Sequence, residues 1–152
     1  MDLKEYQLDR LDKINYNSRF ADRGGIVFFG DSLIEGWDLN RLGIDNVYNC
    51  GISGLTTNDL LGLHNECVGN YRPDKVVILA GVNDLSEENQ FDKLDIAFNM
   101  YKLIEILNLK YQVKDIYVIS PLPINKEAKT SLCNNIQLKL LGEEIEKICN
   151  EF

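Results

Sequence analysis

The sequence is poor in the residues on which several kinds of functional site depend. Its 152 residues include one histidine and four cysteines, and the cysteines form no CxxC pair. A zinc site needs such ligands at short, regular spacing, so no metal site is predicted. No glycine-rich phosphate loop of the GxGxxG or GxxxxGK[ST] type occurs, which argues against a flavin or nucleotide protein. We therefore expect no cofactor.

Positive charge and long apolar runs are also scarce. The 16 lysines and arginines are outnumbered by 24 aspartates and glutamates, which gives a formal net charge of −8. This charge repels phosphate backbones and excludes nucleic acid as an expected partner. Charges recur every few residues near the N-terminus, which therefore predicts neither a secretory signal nor a membrane span. The expected location is the cytoplasm, with reduced and mostly buried cysteines. These are Cys50, Cys67, Cys133 and Cys149.

What the sequence does contain is a regular alternation of predicted strands and helices. The chain length and the 45% hydrophobic fraction suit one domain that spans residues 1–152. Apolar segments predict strands at residues 26–29, 47–53, 76–80 and 116–120. Helical periodicity lies before the first of these segments and after each of the other three. The alternation predicts a parallel, doubly wound α/β sheet.

The predicted helices differ in what they are expected to do. Leu3, Tyr6, Leu11 and Ile14 recur at helical spacing and predict an N-terminal helix with a purely structural role. Further helices are predicted from about residue 55, from 91 to 109 and from 126 to 149. In the last of these helices, Leu132, Ile136, Leu140, Ile145 and Ile148 form the expected apolar positions.

Polar residues follow three of the predicted strands directly. They are Gly30-Asp31-Ser32, Gly51-Ile52-Ser53-Gly54 and Gly81-Val82-Asn83-Asp84. Sites in open parallel sheets form outside the carboxyl ends of the strands, where such loops converge. We therefore expect a functional site at this edge of the sheet.

These three segments resemble the signature blocks of the SGNH, or GDSL-like, hydrolases. Phe29-Gly30-Asp31-Ser32-Leu33 resembles the first block, Asn49-Cys50-Gly51-Ile52-Ser53-Gly54 the second, and Gly81-Val82-Asn83-Asp84 the third block, GxND. They occur in family order within residues 26–125. The resemblance implies a flavodoxin-like three-layer α/β/α sandwich and a serine ester hydrolase that acts on small-molecule esters.

The resemblance also implies a role for each site residue. Ser32 is the expected nucleophile, and the backbone N–H groups of Ser32 and Gly54 with the Asn83 amide form the expected oxyanion hole. We expect Asp31 and Asp84 to brace the loops. Each residue alone also has a structural interpretation, because serine, asparagine and aspartate cap helices and glycine suits turns.

One expected component of the resemblance is absent from the sequence. In this family the base that activates the serine is a histidine in a DxxH segment, and no such segment occurs here. His64 follows Gly54 by ten residues, roughly 15 Å along a helix, which is out of reach of Ser32. We therefore expect a chain shortened by its last strand, with an uncovered sheet edge that invites self-association and with weak or no activity.

Two functions remain open at this point. One is an acyl-ester hydrolase that works through Ser32. The other is a non-catalytic binding module that keeps the oxyanion pocket for a carbonyl or anionic ligand. The sequence does not indicate the substrate, because substrate pockets are shaped by loops.

Overall fold

A parallel four-stranded sheet forms the centre of the protein. The computed structural model describes residues 2–86, 88–125 and 133–152. The strands are β1 (Ile26–Gly30), β2 (Val47–Gly51), β3 (Lys75–Leu79) and β4 (Asp115–Val118). All are paired in parallel in the order β2-β1-β3-β4. The predicted α/β class and its strands are confirmed.

Five α-helices accompany the sheet in the described part of the chain. They are α1 (Glu5–Ser18), α2 (Ser32–Glu35), α3 (Thr57–Cys67), α4 (Lys93–Leu109) and α5 (Asn135–Cys149), with 3₁₀ turns at Leu39–Leu42 and Gly69–Tyr71. The side chains of Thr56, Asp92 and Asn134 accept backbone N–H groups at the starts of α3, α4 and α5. Within the described residues, no helix is both long and apolar enough to cross a membrane.

The two faces of the sheet are covered by different helices. Val27 and Phe29 pack in the main core with α1, α3 and α4, whereas Phe28 packs on the opposite face with Ile34 of α2. The chain thus passes from β1 to β2 on one face and returns to β3 and β4 on the other. The loops after β1 and β3 diverge to opposite faces, which opens a crevice between them.

The last helix starts later than the sequence analysis predicted. It begins at Asn135 because the Asn134 side chain accepts the N–H groups of Ile136 and Gln137, while residues 126–132, with the predicted position Leu132, lie outside the described residues. Two predicted apolar positions are exposed, Ile136 at 73% and Leu140 at 39%. The buried face is instead Leu138, Leu141 and Ile145, because these residues face α4 and the sheet.

The apolar face predicted for the N-terminal helix is confirmed except at one position. Ile14 is buried in the core, and Leu11 and Leu3 pack against it. Tyr6 is instead half exposed, and the polar Gln7 is buried beside it. Apolar spacing did not indicate Gln7, because its burial depends on contacts with a distant loop.

All four cysteines are free thiols. Cys50 and Cys67 are buried in the core, where burial raises the pKa of the Cys50 thiol to about 12. Cys133 is half-buried and Cys149 is exposed. The expectation of mostly buried cysteines therefore holds for two of the four.

Candidate active site

A cavity of about 250 Å³ lies in the crevice at the carboxyl ends of the strands. Ser32, which follows β1, and Asn83, which follows β3, both line it. Residues 121–124, which follow β4, also line it. Two of the predicted site residues thus meet in one cavity, at the point where the topology brings the two loops together.

The position of Ser32 is set by a tight turn from β1 into α2. Asp31 is the N-cap, and its Oδ1 accepts the N–H of Leu33 at 2.9 Å. Ser32 is the first helical residue, so its own N–H has no partner within the helix. The helix lies close to β2 because position 51 is a glycine, where a Cβ atom would come within 2.2 Å of the Glu35 nitrogen.

Gly54 does not line this cavity and borders a neighbouring polar depression instead. It is nevertheless joined to the Asn83 loop, because Asn83 Nδ2 donates to the carbonyl of the next residue, Leu55, at 2.9 Å. Gly54 has a φ of +78°, and a Cβ atom there would lie 3.0 Å from the Tyr6 hydroxyl. Both the backbone conformation and the space favour glycine at this position.

Asp84 joins the loop after β3 to the start of α3. Its carboxylate accepts the backbone N–H of Thr57 at 3.0 Å and the Thr57 hydroxyl. Asp84 is fully buried, and burial raises the pKa of its carboxyl group above the ordinary value, against the hydrogen bonds from Thr57. The helix N-terminus also favours negative charge at this position.

Asp31 is the second fully buried carboxyl group, and it lines the cavity beside Ser32. The pKa of its carboxyl group is raised to about 6, mainly because the group is buried; the charge of Asp84 adds to this rise, and the hydrogen bond from the Leu33 N–H opposes it. Its Oδ2 is buried and has no hydrogen-bond partner among the described residues.

His64 lies outside the cavity. Its Nδ1 is 2.7 Å from the Tyr111 hydroxyl, and the two rings pack together at the far end of α3 and α4. Burial and the nearby Lys110 lower the pKa of its imidazole. None of the described residues that line the cavity is a histidine.

Several side chains at the site were not indicated by the sequence analysis. Leu122 and Ile124 add apolar side chains to the cavity that Ser32 lines. Glu35, one turn after Ser32, accepts the N–H of Ser53 at 2.6 Å and its hydroxyl at 2.5 Å. Neither the two apolar residues nor Glu35 stands in a sequence motif that could have identified it. The cavity combines a hydroxyl, an amide donor and apolar walls, which suits a neutral acyl compound.

Comparison with protein families gives one match over most of the chain. The profile of the GDSL-like Lipase/Acylhydrolase family matches residues 28–152. A search of curated protein sequences found no match.

Solved structures share the fold at low sequence identity. A protein of Streptococcus pneumonia, provisionally assigned as a platelet activating factor, is 21% identical with a TM-score of 0.87 over 97% of this chain and 72% of its own. A GDSL-like lipase from Bacteroides thetaiotaomicron is 22% identical with a TM-score of 0.75 over 93% and 73%. A lipase/acylhydrolase from Enterococcus faecalis is 24% identical with a TM-score of 0.69 over 84% and 72%.

Proposed function

The chain belongs to the GDSL-like lipase/acylhydrolase family, a family of ester-hydrolysing enzymes with this α/β fold, and from this premise we propose that it is a serine ester hydrolase with Ser32 as the nucleophile. The proposed oxyanion hole consists of the backbone N–H groups of Ser32 and Gly54 and the side-chain amide of Asn83; Gly54 borders the adjoining depression and is joined to Asn83 through the Leu55 carbonyl. Asp31 and Asp84 position the loops and do not take part in the chemistry.

In the proposed reaction Ser32 Oγ forms a bond to the carbonyl carbon of an ester and gives its proton to a water molecule. The carbonyl oxygen becomes the oxyanion, which the three N–H donors stabilise. The bond to the alcohol oxygen then breaks, and the alcohol leaves with a proton. Water attacks the acyl-serine, releases the carboxylic acid and restores the hydroxyl.

The observation that carries this proposal is the shared cavity of Ser32 and Asn83. A hydroxyl at a helix start and an amide donor on the facing loop are the arrangement that acyl transfer needs, with the reacting carbon between nucleophile and donor. The apolar side chains of Leu122 and Ile124 suit the acyl part of the substrate.

The proposed activity is weak in this chain. A serine hydroxyl needs a neighbouring base to become a good nucleophile, and the only histidine of the sequence contacts Tyr111 instead. Loss of a triad member in proteases still leaves about 10³-fold to 10⁴-fold acceleration from binding and the oxyanion hole. We expect turnover in that lower range.

The missing base also favours a second candidate, a binding module without turnover. In that case the cavity holds a carbonyl or anionic ligand against the same donors, and Ser32 contributes a hydrogen bond only. The two candidates differ in whether Ser32 forms a covalent bond.

The experiment that separates them is hydrolysis of p-nitrophenyl acetate by the full chain and by Ser32→Ala. We expect the wild-type rate above the buffer to be lost in Ser32→Ala and kept in Ser120→Ala, which removes an exposed serine that does not line the cavity. A fluorophosphonate probe should add to Ser32, as shown by peptide mass mapping. Equal rates in wild type and Ser32→Ala, with no adduct, would leave the binding module as the better candidate.

A further inference from the structure

Two side chains at the start of α1 hold the carbonyl group that precedes Gly54. Gln7 Nε2 donates to the Ser53 carbonyl oxygen at 2.9 Å, and the Tyr6 hydroxyl donates to the same oxygen at 3.2 Å. Gln7 is only 5% exposed. A buried amide that reaches a loop 46 residues away along the chain is a specific tie between these two segments.

The Ser53 carbonyl and the Gly54 N–H belong to one peptide unit. In a planar trans peptide the C=O and N–H bonds point in opposite directions. A carbonyl held towards α1 therefore aims the Gly54 N–H away from α1. Glycine at position 54, with a φ of +78°, otherwise leaves this peptide free to rotate, because glycine tolerates several backbone conformations.

Two further contacts hold neighbouring parts of this loop, one from α2 and one from α1. Glu35 of α2 accepts the Ser53 N–H, which belongs to the preceding peptide unit. Arg10 of α1 donates to the carbonyl oxygens of Asn49 and Gly51 at 2.9 and 3.0 Å, which ties α1 to the end of β2. The Ser53–Gly54 peptide is thus the one unit of this loop whose direction depends on Gln7 and Tyr6.

We infer that Gln7, with a smaller contribution from Tyr6, is a positioning residue that aims the Gly54 N–H into the oxyanion hole. The inference rests on the proposed function, in which that N–H is a donor. It gives α1, which precedes the family match at residues 28–152, a role in turnover in addition to its structural one.

The substitution that tests the inference is Gln7→Glu in the full chain. Gln7 Oε1 also accepts the Lys4 N–H at 2.9 Å, and glutamate keeps both this contact and the size of the side chain. It loses only the donor to the Ser53 carbonyl and places negative charge beside that oxygen. The peptide is then expected to rotate so that the Gly54 N–H turns towards α1.

We expect Gln7→Glu to lower the Ser32-dependent kcat for p-nitrophenyl acetate at least about 10-fold, since losing an oxyanion donor outright typically costs about 10²-fold to 10³-fold. The KM should stay within about twofold, because the donor acts mainly in the transition state. The Gly54 amide resonance should move in a ¹H–¹⁵N spectrum. Tyr6→Phe should show the same changes to a smaller degree.

The matched control is Gln137→Glu. Gln137 accepts the Asn134 N–H at 3.0 Å in the same capping arrangement at the start of α5, but it is exposed. If Gln7→Glu and Gln137→Glu keep the same kcat while wild-type turnover depends on Ser32, the inference is wrong and the proposed function stands. If wild type shows no Ser32-dependent turnover, the proposed function fails, and the inference built on it fails with it.

Discussion

Asp31 couples the stability of the fold to pH. Burial raises the pKa of its carboxyl group from 3.8 to about 6 in the folded protein. Well below 3.8 the group is protonated in both the folded and unfolded states, and above about 6 it is ionised in both. Between these values the folded state binds more protons, so the free energy of unfolding falls as the pH rises. The ionised carboxylate therefore destabilises the protein at neutral pH.

We predict that Asp31→Asn is more favourable for stability, compared with wild type, at neutral pH than at acid pH. Asparagine caps a helix as well as aspartate does, and it carries no charge to bury. The free energy of unfolding of Asp31→Asn minus that of wild type should increase by about 2 kcal/mol from about pH 4 to about pH 7.5. Urea denaturation at several pH values measures this difference.

The control for this prediction is Asp92→Asn. Asp92 caps α4 through the Leu94 N–H at 2.8 Å but is exposed, so this substitution changes a helix cap without changing a buried group. A difference between Asp31→Asn and wild type that stays constant over the pH range would show that the Asp31 carboxylate is accommodated without penalty.

Hydrogen bonds at the start of α3 hold the Asn83 loop against the rest of the fold. Thr57 Oγ1 donates to Asp84 and accepts Asn99 Nδ2 of α4 at 3.2 Å. One hydroxyl therefore connects α3, α4 and the loop after β3. Because Asn83 directly precedes Asp84, these hydrogen bonds also fix the position of the proposed oxyanion donor.

We predict that Thr57→Val destabilises the fold more than Thr57→Ser does. Valine keeps the shape but removes the hydroxyl, which leaves the buried Asp84 carboxylate and the Asn99 amide each one hydrogen bond short. The expected loss is about 1–3 kcal/mol. Serine keeps the hydroxyl and loses only a methyl group, about 1 kcal/mol. Chemical denaturation compares the two variants, and an equal loss in both would assign the effect to packing.

The strands were predictable from sequence because their signal is local. Residues 26–29 and 76–80 are uninterrupted apolar runs, and they form β1 (Ile26–Gly30) and β3 (Lys75–Leu79) nearly as expected. The helix α2 gives no signal in the sequence, because four residues are too few to show a period. The helix α5 starts later than its apolar periodicity predicts, because that periodicity does not mark the cap at Asn134.

The candidate site was predictable only where a residue stands in a motif. Ser32 and Asn83 were expected to meet from their places after two strands, and the cavity contains both. The ties through Gln7 and Glu35 join segments that are far apart in the sequence, and single polar residues at such distances carry no local signal. Their identification needed the three-dimensional arrangement.

Among the residues that the structure describes, β4 pairs only with β3, so its outer side has no strand partner there. Cavities of about 650 and 370 Å³ adjoin Val118 of this strand. The described helices therefore do not cover β4 completely. Tyr117 of the same strand is 51% exposed. An exposed apolar edge with free N–H and C=O groups is a template for pairing with another chain.

We predict that two copies of the chain pair through β4, since the same edge related by a two-fold axis satisfies both sets of backbone groups. Tyr117→Lys places a charge on each paired strand and should shift the protein towards monomer in sedimentation velocity over a wide range of concentration. Tyr16→Lys is the matched control, because Tyr16 is 59% exposed on α1, away from this edge. Association that persists in Tyr117→Lys, or that is lost equally in Tyr16→Lys, would place the contact elsewhere. Wild-type protein that remains monomeric throughout this range would contradict the prediction.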